Sequence, residues 1–294
     1  MKAIIPVAGH GSRLEPHTLS LQKCLFPVAG KPVLQHIIEK LIDINIFDIT
    51  LIIGHLGEQV KDFCKIYDKI NFSFIEQKEQ LGLGHAIYLG LESTEESVLI
   101  VLGDSILELD YSKFISSEIS SLGVKRVSDP ERFGIVELIG DKVLSVVEKP
   151  AKPVSDLALI GIYFITSQYS LKKSIKQLID HSIKTNDEYQ LTDAFTVMIN
   201  KNHKFSSFEI DACLDCGVPE TVFSTNKILL GRQGLNSIDL SANIKNSKLK
   251  YCSISKDCLV VDSILNNVIM LPGSQIKNRN IENRIIGFNE ILEN

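Results

Sequence analysis

Residues 2–32 read "KAIIPVAGHGSRLEPHTLSLQKCLFPVAGKP". Ala3, Ile4, Ile5 and Val7 form an apolar run that stops at Gly9, so it reads as a short buried strand feeding a glycine-rich turn. "PVLQHIIEKLIDINI" follows and places Val33, Ile37, Ile38, Leu41 and Ile42 on one helical face. Strand, loop and amphipathic helix in that order open an α/β fold. The loop has the chemistry of a phosphate cradle. Gly9 and Gly11 let the backbone approach an anion closely, Arg13 offers a guanidinium fork and Lys23 a point charge. A plain strand-to-helix turn with two solvated cations is the competing reading. The stretch is not G-x-x-x-x-G-K-[ST], and Leu14 stands where a dinucleotide fingerprint has its third glycine.

The alternation continues. "DITLIIGHL", "NFSFIEQ" and "SVLIVLGDS" read as strands, with helices in "GEQVKDFCKIY" and "GLGHAIYLGLES" between them. Near-continuous apolar strands separated by helices predict a mainly parallel sheet covered on both faces. Ligands in such sheets bind at the carboxyl ends of strands, where the opening loop, Gln77 and Gly103-Asp104 all fall. Beyond about Gly123 the pattern changes. A hairpin turning at Gly140-Asp141, the strand "LALIGIYFIT" and two helices lead to "KFSSFEIDACLDCG", read as one strand ending at Asp215. Asp104 and Asp215 are both strand-end carboxylates suited to Mg²⁺, which takes one or two carboxylates plus phosphate oxygens. Capping of a following helix is the bland reading of Asp104.

From Asn236 onward, Ile244, Leu249, Ile254, Leu259, Ile264 and Ile269 recur at every fifth position, each preceded two residues earlier by a small residue. Ile276, Ile281 and Ile286 continue the spacing after one break at Pro272-Gly273. Neither helix nor simple strand has this period, which points to a short β-solenoid, with irregular β-hairpins of chance spacing as the competing reading. Domain boundaries of 1–235 and 236–294 follow.

The chain has 294 residues, 44% hydrophobic and 23% charged, enough for a large α/β domain with an appendage. A net charge of −5 argues against a dedicated nucleic-acid binder, so an anionic substrate must be held by a few placed cations. No apolar run approaches the roughly 20 residues of a membrane span. The six cysteines are scattered and no secretory apolar segment precedes them, so a reducing, cytoplasmic setting is expected. Cys213 and Cys216 form a lone C-x-x-C without two further ligands nearby. His36 reads as a packing residue, and no G-x-S-x-G or S-x-x-K nucleophile is present. Glu148 and Lys149 in "VVEKP" offer a carboxylate for sugar hydroxyls and an ammonium for phosphate at a strand end, or a surface charge pair before a turn.

Taken in order, "GHGSRLEPHT", "QK", "FPVAGKP", "EQKEQLGLGHA", "VLGDS", "DPERFGIVEL", "VVEKP", "LALIGIYFI", "DEYQLTDAF" and "CLDCGVPE" resemble the sugar-phosphate nucleotidylyltransferases, most closely the glucose-1-phosphate thymidylyltransferases. The resemblance covers about residues 1–230. It implies a Rossmann-like α/β nucleotidyltransferase domain, and the tail is similar to the left-handed β-helix of the longer members. It further implies that Gly9, Gly11 and Arg13 cradle a nucleoside triphosphate and that Lys23 stabilises the transition state at its α-phosphate. Gln77 and Gly82 would recognise a pyrimidine base, and Asp104 and Asp215 would hold Mg²⁺. Gly134, Glu148 and Gly161 would contact a hexose, and Lys149 its phosphate. Substrates would be dTTP or UTP and a sugar 1-phosphate, above all glucose 1-phosphate, in a homo-oligomer. A non-catalytic, sugar-nucleotide-binding regulatory relative of the same fold is the alternative. Gln22 stands where the family has proline, which is expected to loosen the turn before Lys23. Ser105 and Cys213 replace a common asparagine and tryptophan.

Overall fold

The computed structural model describes residues 1–293; Asn294, the last residue of the expected solenoid, lies outside them. The chain divides into two compact units: Met1–Gly9, Ile37–Gly103 and Leu107–Cys213 form the first, and His10–His36, Asp104–Ile106 and Leu214 onward the second. The opening loop therefore clusters with the C-terminal tail.

The first unit is built on a nine-stranded sheet. In chain order its strands are β1 (Lys2–Pro6), β2 (Asp48–Ile53), β3 (Asn71–Glu76), β4 (Val98–Val101), β5 (Ser120–Arg126), β6 (Gly134–Ile139), β7 (Lys142–Glu148), β8 (Leu157–Ile165) and β9 (Phe205–Glu209). Their spatial order is β3-β2-β1-β4-β8-β5-β9-β7-β6. The half from β3 to β4 is parallel, as the alternating strands and helices predict. From β8 onward the sheet is mixed. β8 runs antiparallel to both β4 and β5, β9 is parallel to β5, and β7 is antiparallel to β6 and β9. The expected single strand ending at Asp215 is two: β9, and Ala212–Asp215, which belongs to a separate two-stranded sheet with Ser105–Glu108. The hairpin turns at Gly140, whose φ of 60° is readily adopted without a Cβ.

Helices α1 (Val33–Asp43), α2 (Gly57–Cys64), α3 (Leu83–Gly90), α4 (Tyr111–Ile115), α5 (Gln168–Asp180) and α6 (Leu191–Asn200) precede the last, α7 (Pro219–Gln233). The core of the first unit joins Ile4, Ile100, Tyr163, Phe195 and Phe205, all at most 5% exposed. Among the described residues no helix is long and apolar enough to cross a membrane.

In the second unit, α7 packs against a C-terminal stack of short parallel strands. Asn236 pairs with Cys252, Asn243 with Leu259, Lys248 with Ile264 and Gln275 with Ile291. Each step is sixteen residues, and side chains repeat the step in Asn267–Asn283 and Lys277–Glu293. The five-residue spacing with one break is thus corrected to a regular five, five, six. Ile244, Leu249, Ile254, Val260, Leu265, Met270, Ile276, Ile281 and Ile286 belong to the apolar interior. Leu259 falls outside that interior and Ile264 is 50% exposed, because the third step of each repeat is one residue longer.

Turn residues repeat with the same rhythm. Asn246, Tyr251, Asp257, Asp262, Asn267, Gly273, Asn278, Asn283 and Asn289 all have φ between 47° and 75°. Short amide and carboxylate side chains tolerate this left-handed geometry, and glycine does so without strain. Tyr251 breaks the rule, and its ring lies beneath Lys227 and Lys250. At Asp262, whose φ is 50°, substitution by valine should cost about 1–2 kcal/mol and substitution by glycine almost nothing. Urea denaturation of the two variants checks this; equal losses would show that the turn carries no backbone constraint.

Candidate functional site

Within the second unit the opening loop is held in an unusual conformation. Gly11 has a φ of 69° and accepts a hydrogen bond from the Thr18 hydroxyl at 2.9 Å. A Cβ on Gly11 would lie 2.9 Å from the Lys23 Cβ, so only glycine lets these two strips of backbone approach. Gln22 does not loosen the turn as expected. It is 1% exposed, and its side-chain oxygen accepts the Cys24 N–H at 2.6 Å, capping the short helical turn Lys23–Leu25. That turn aims Lys23 at Asp104, with Nζ 2.8 Å from Oδ2. Arg13 is exposed and has no ion-pair partner among the described residues.

The segment that carries the second carboxylate, Asp215, runs beside Asp104. Cys216 donates its backbone N–H to the Asp104 carbonyl at 2.9 Å, which sets the two strand ends side by side. Asp215 Oδ1 accepts the Gly217 N–H at 3.1 Å, and the Asp215 carbonyl accepts the Thr225 hydroxyl at 2.8 Å. Burial chiefly, helped by the charges of Asp215 and Asp104, pushes the Cys216 thiol up. It stays protonated and is a poor redox group. Among the described residues no three His, Cys, Asp or Glu side chains form a metal cluster.

In the first unit, Gly9 is exposed and a Cβ there would meet nothing within 4 Å. Its neighbour Ala8 accepts a hydrogen bond from Gln80 at 3.2 Å, tying the end of β1 to the loop that carries Gln77 and Gly82. Gln77 is 4% exposed and its amide nitrogen donates to the Gly82 carbonyl at 3.2 Å. Gly82 has a φ of 105°, and a Cβ would lie 2.9 Å from the Tyr189 carbonyl. Any larger residue is therefore excluded. His85 lies 3.3 Å from Gln77, and burial holds its pKa down.

Glu148 ends β7, and its Oε2 accepts the Thr192 hydroxyl at 3.0 Å. Lys149 has a φ of 41°, and this strained turn folds its Nζ back to 3.6 Å from Glu148 Oε1. A Cβ on Gly134 would lie 2.7 Å from Thr192 and 3.2 Å from Glu148, so the glycine keeps that carboxylate's surroundings open. Gly161 has a φ of 65° at a register slip in β8, and its carbonyl accepts the Leu102 N–H at 2.8 Å. Sequence reading missed Thr192, which "YQLTDAF" carries without a local signal of its role, and Thr225, hidden in an ordinary helix.

The sequence profile described as Nucleotidyl transferase matches residues 2–231. This chain belongs to the nucleotidyl transferase family. The Bifunctional protein GlmU of Methanocaldococcus jannaschii is 36% identical over 235 residues, covering 79% of this chain and 55% of that protein. The chain thus spans about half the length of that curated relative. A glucose-1-phosphate thymidylyltransferase of Streptomyces griseus is 27% identical and covers 98% of this chain and 92% of its own length. A crystal structure assigned as a glucose-1-phosphate thymidylyltransferase from Bacillus anthracis, in complex with a sucrose, superposes with a TM-score of 0.67 at 26% identity. It covers 78% of this chain and 94% of that one. A UDP-glucose pyrophosphorylase complexed with UDP-glucose shares the fold, also with a TM-score of 0.67.

Two measurements bear on this nucleotidyl transferase chain. Iodoacetamide at pH 8 should label the partly exposed Cys213 first and spare the buried Cys24, Cys64, Cys216, Cys252 and Cys258; peptide mapping that finds Cys216 labelled first would contradict its burial. Burial also lowers the pKa of His17, His85 and His203 below 6.5. The unfolded chain then binds protons that the folded one refuses, so these groups reduce stability as pH falls through 6.5. The Tm should drop between pH 7.5 and pH 6, and a Tm that rises would reverse the sign.

Proposed function

We propose that this chain transfers a nucleotidyl group from dTTP or UTP to a sugar 1-phosphate, above all glucose 1-phosphate, releasing pyrophosphate. The observation that carries this reading is the grouping of Lys23, Asp104 and Asp215 around one backbone hydrogen bond in a chain of this family. A phosphate oxygen of the sugar 1-phosphate attacks the α-phosphorus, and pyrophosphate leaves with the electron pair of the broken P–O bond. The nucleophile is already an anion, so the reaction asks for positioning and charge neutralisation, not for a general base.

The residue roles follow. Gly9, Gly11 and Arg13 hold the triphosphate, and the unpaired Arg13 guanidinium suits that task. Lys23 neutralises charge developing at the α-phosphate. Gln77 and Gly82 recognise the base. Gly134, Glu148 and Gly161 receive the hexose, with Thr192 orienting the Glu148 carboxylate, and Lys149 takes the sugar phosphate. Asp104 and Asp215 fit Mg²⁺. Both are hard oxygen donors, and the Asp104 side chain is 42% exposed, which leaves room for the waters that this ion keeps. When bound, the ion would draw negative charge from the phosphates.

We further read the C-terminal stack as a β-helix of sixteen-residue coils. Ile264 and Ile291 are 50% and 57% exposed on it, which supports self-association of the chain.

Pyrophosphate release is to be assayed with dTTP, UTP, CTP, ATP and GTP against several hexose 1-phosphates and Mg²⁺. Release with dTTP or UTP and glucose 1-phosphate is expected. Silence with every pair would favour the non-catalytic, regulatory reading. Lys23→Ala should lower kcat by about 10²-fold or more while changing triphosphate affinity far less, as befits a group acting on the transition state. A loss confined to affinity would reassign Lys23 to ground-state binding.

A further inference from the structure

Asn226 lies at the middle of α7 and is fully buried. A buried amide must have its hydrogen bonds met. Its Oδ1 accepts the Ala29 N–H at 2.9 Å and the Ser253 hydroxyl at 2.6 Å, and its Nδ2 donates to the Tyr251 carbonyl at 3.0 Å. Ala29 belongs to the opening loop, six residues after Lys23, whereas Tyr251 and Ser253 belong to the C-terminal stack. One side chain therefore fastens the loop to the stack.

The surroundings repeat the connection. Ala29 and Gly30 both have positive φ, 50° and 80°, at the turn between Pro27–Val28 and Lys31–Pro32. A Cβ on Gly30 would collide with Ser237 of the stack. Earlier in the loop, the His17 ring lies near Gly287 and feels the charge of Glu290, so the loop also meets the stack next to the strands Asn280–Ile286 and Ile291–Leu292. One position before Asn226, Thr225 holds the Asp215 carbonyl. Adjacent residues of α7 thus brace Asp215 on one side and the Lys23 loop on the other. Tyr251, the one bulky residue among the stack's left-handed turns, is the residue whose carbonyl Asn226 engages. Its strained backbone is held in place from α7.

We propose that Asn226 is a positioning residue, through which the C-terminal stack fixes Lys23 for nucleotidyl transfer. This rests on the function proposed above for Lys23. Without Asn226, the Ala29 N–H loses its buried partner and the loop slackens at its far end. Lys23 then spends less time in the geometry that the transition state needs.

The test is a double-mutant cycle read by kinetics, with amide hydrogen exchange beside it. Asn226→Ala should lower kcat by about tenfold per folded molecule, the scale on which small misplacements act, with the triphosphate KM within about twofold. In a Lys23→Ala background the same substitution should lower kcat by less than about twofold, because positioning an absent ammonium has no effect. An equal loss in both backgrounds would overturn the proposal in favour of a general structural defect. Hydrogen exchange needs no activity. Amides of residues 20–32 should exchange faster in Asn226→Ala, and those of β1 to β4 should not change. Unchanged exchange at 20–32 would overturn the tether even if the wild-type chain proved inactive. Should Asn226→Ala not fold, Ser253→Ala removes one of the two donors to Asn226 and should give the same pattern at smaller amplitude; no change in kcat and exchange there would count against the proposal.

Discussion

A backbone hydrogen bond from Cys216 N–H to the Asp104 carbonyl, beside the pairing of Ala212–Asp215 with Ser105–Glu108, underlies the arrangement of charge around Lys23. Asp104 and Asp215 lie over a hundred residues apart in sequence. Two carboxylates left side by side in water would repel and drift. Here the hydrogen bond from Cys216, the neighbour of Asp215, holds the two segments together. Lys23 pairs with Asp104, and the Gly217 N–H orients Asp215. The loop geometry follows from this demand. Lys23 can reach Asp104 only because Gly11 has no Cβ to hold its backbone off and because Gln22 caps the turn from beneath.

Much of this was legible in the sequence, and the parts that were not have physical causes. Apolar runs such as "SVLIVLGDS" mark buried strands, and their ends located Gln77 and Asp104 correctly because period and glycine punctuation are local signals. In the mixed half of the sheet the β6–β7 hairpin was legible, but the directions of β8 and β9 were not. Strand direction depends on how a connection returns, and the residues of β8, buried along their whole length, look the same whichever way their neighbours run. Gln22 was misjudged for a similar reason. Its departure from proline looks like a loss of rigidity until the Cys24 N–H is seen to need an acceptor. Thr192 and Thr225 escaped notice because a threonine in a helix announces nothing until a distant group arrives beside it.

The spacing read in the tail errs in an instructive way. A five-residue spacing fits two steps of each repeat and fails at the third, so an average hides the longer step. The turn residues reveal the true period better than the interior does. Asn246, Asp257, Asp262, Asn267 and Asn278 must adopt positive φ, and few residue types do so at low cost. Interior positions accept Ile, Leu, Val, Met or Cys alike and so record the period less sharply.

The bond between Ala29 and Asn226 joins residues 197 positions apart. Chains are made from the amino terminus, and contacts of such separation require a large loop to close before they contribute. The glycine loop is synthesised well before its partners in α7 and the stack. It must wait for this anchor until Asn226, Tyr251 and Ser253 have been made. The order in which this protein is built is therefore the reverse of the order in which its loop becomes useful. A chain that stops before Tyr251 and Ser253 carries every charged residue of the loop but lacks the groups that fasten it.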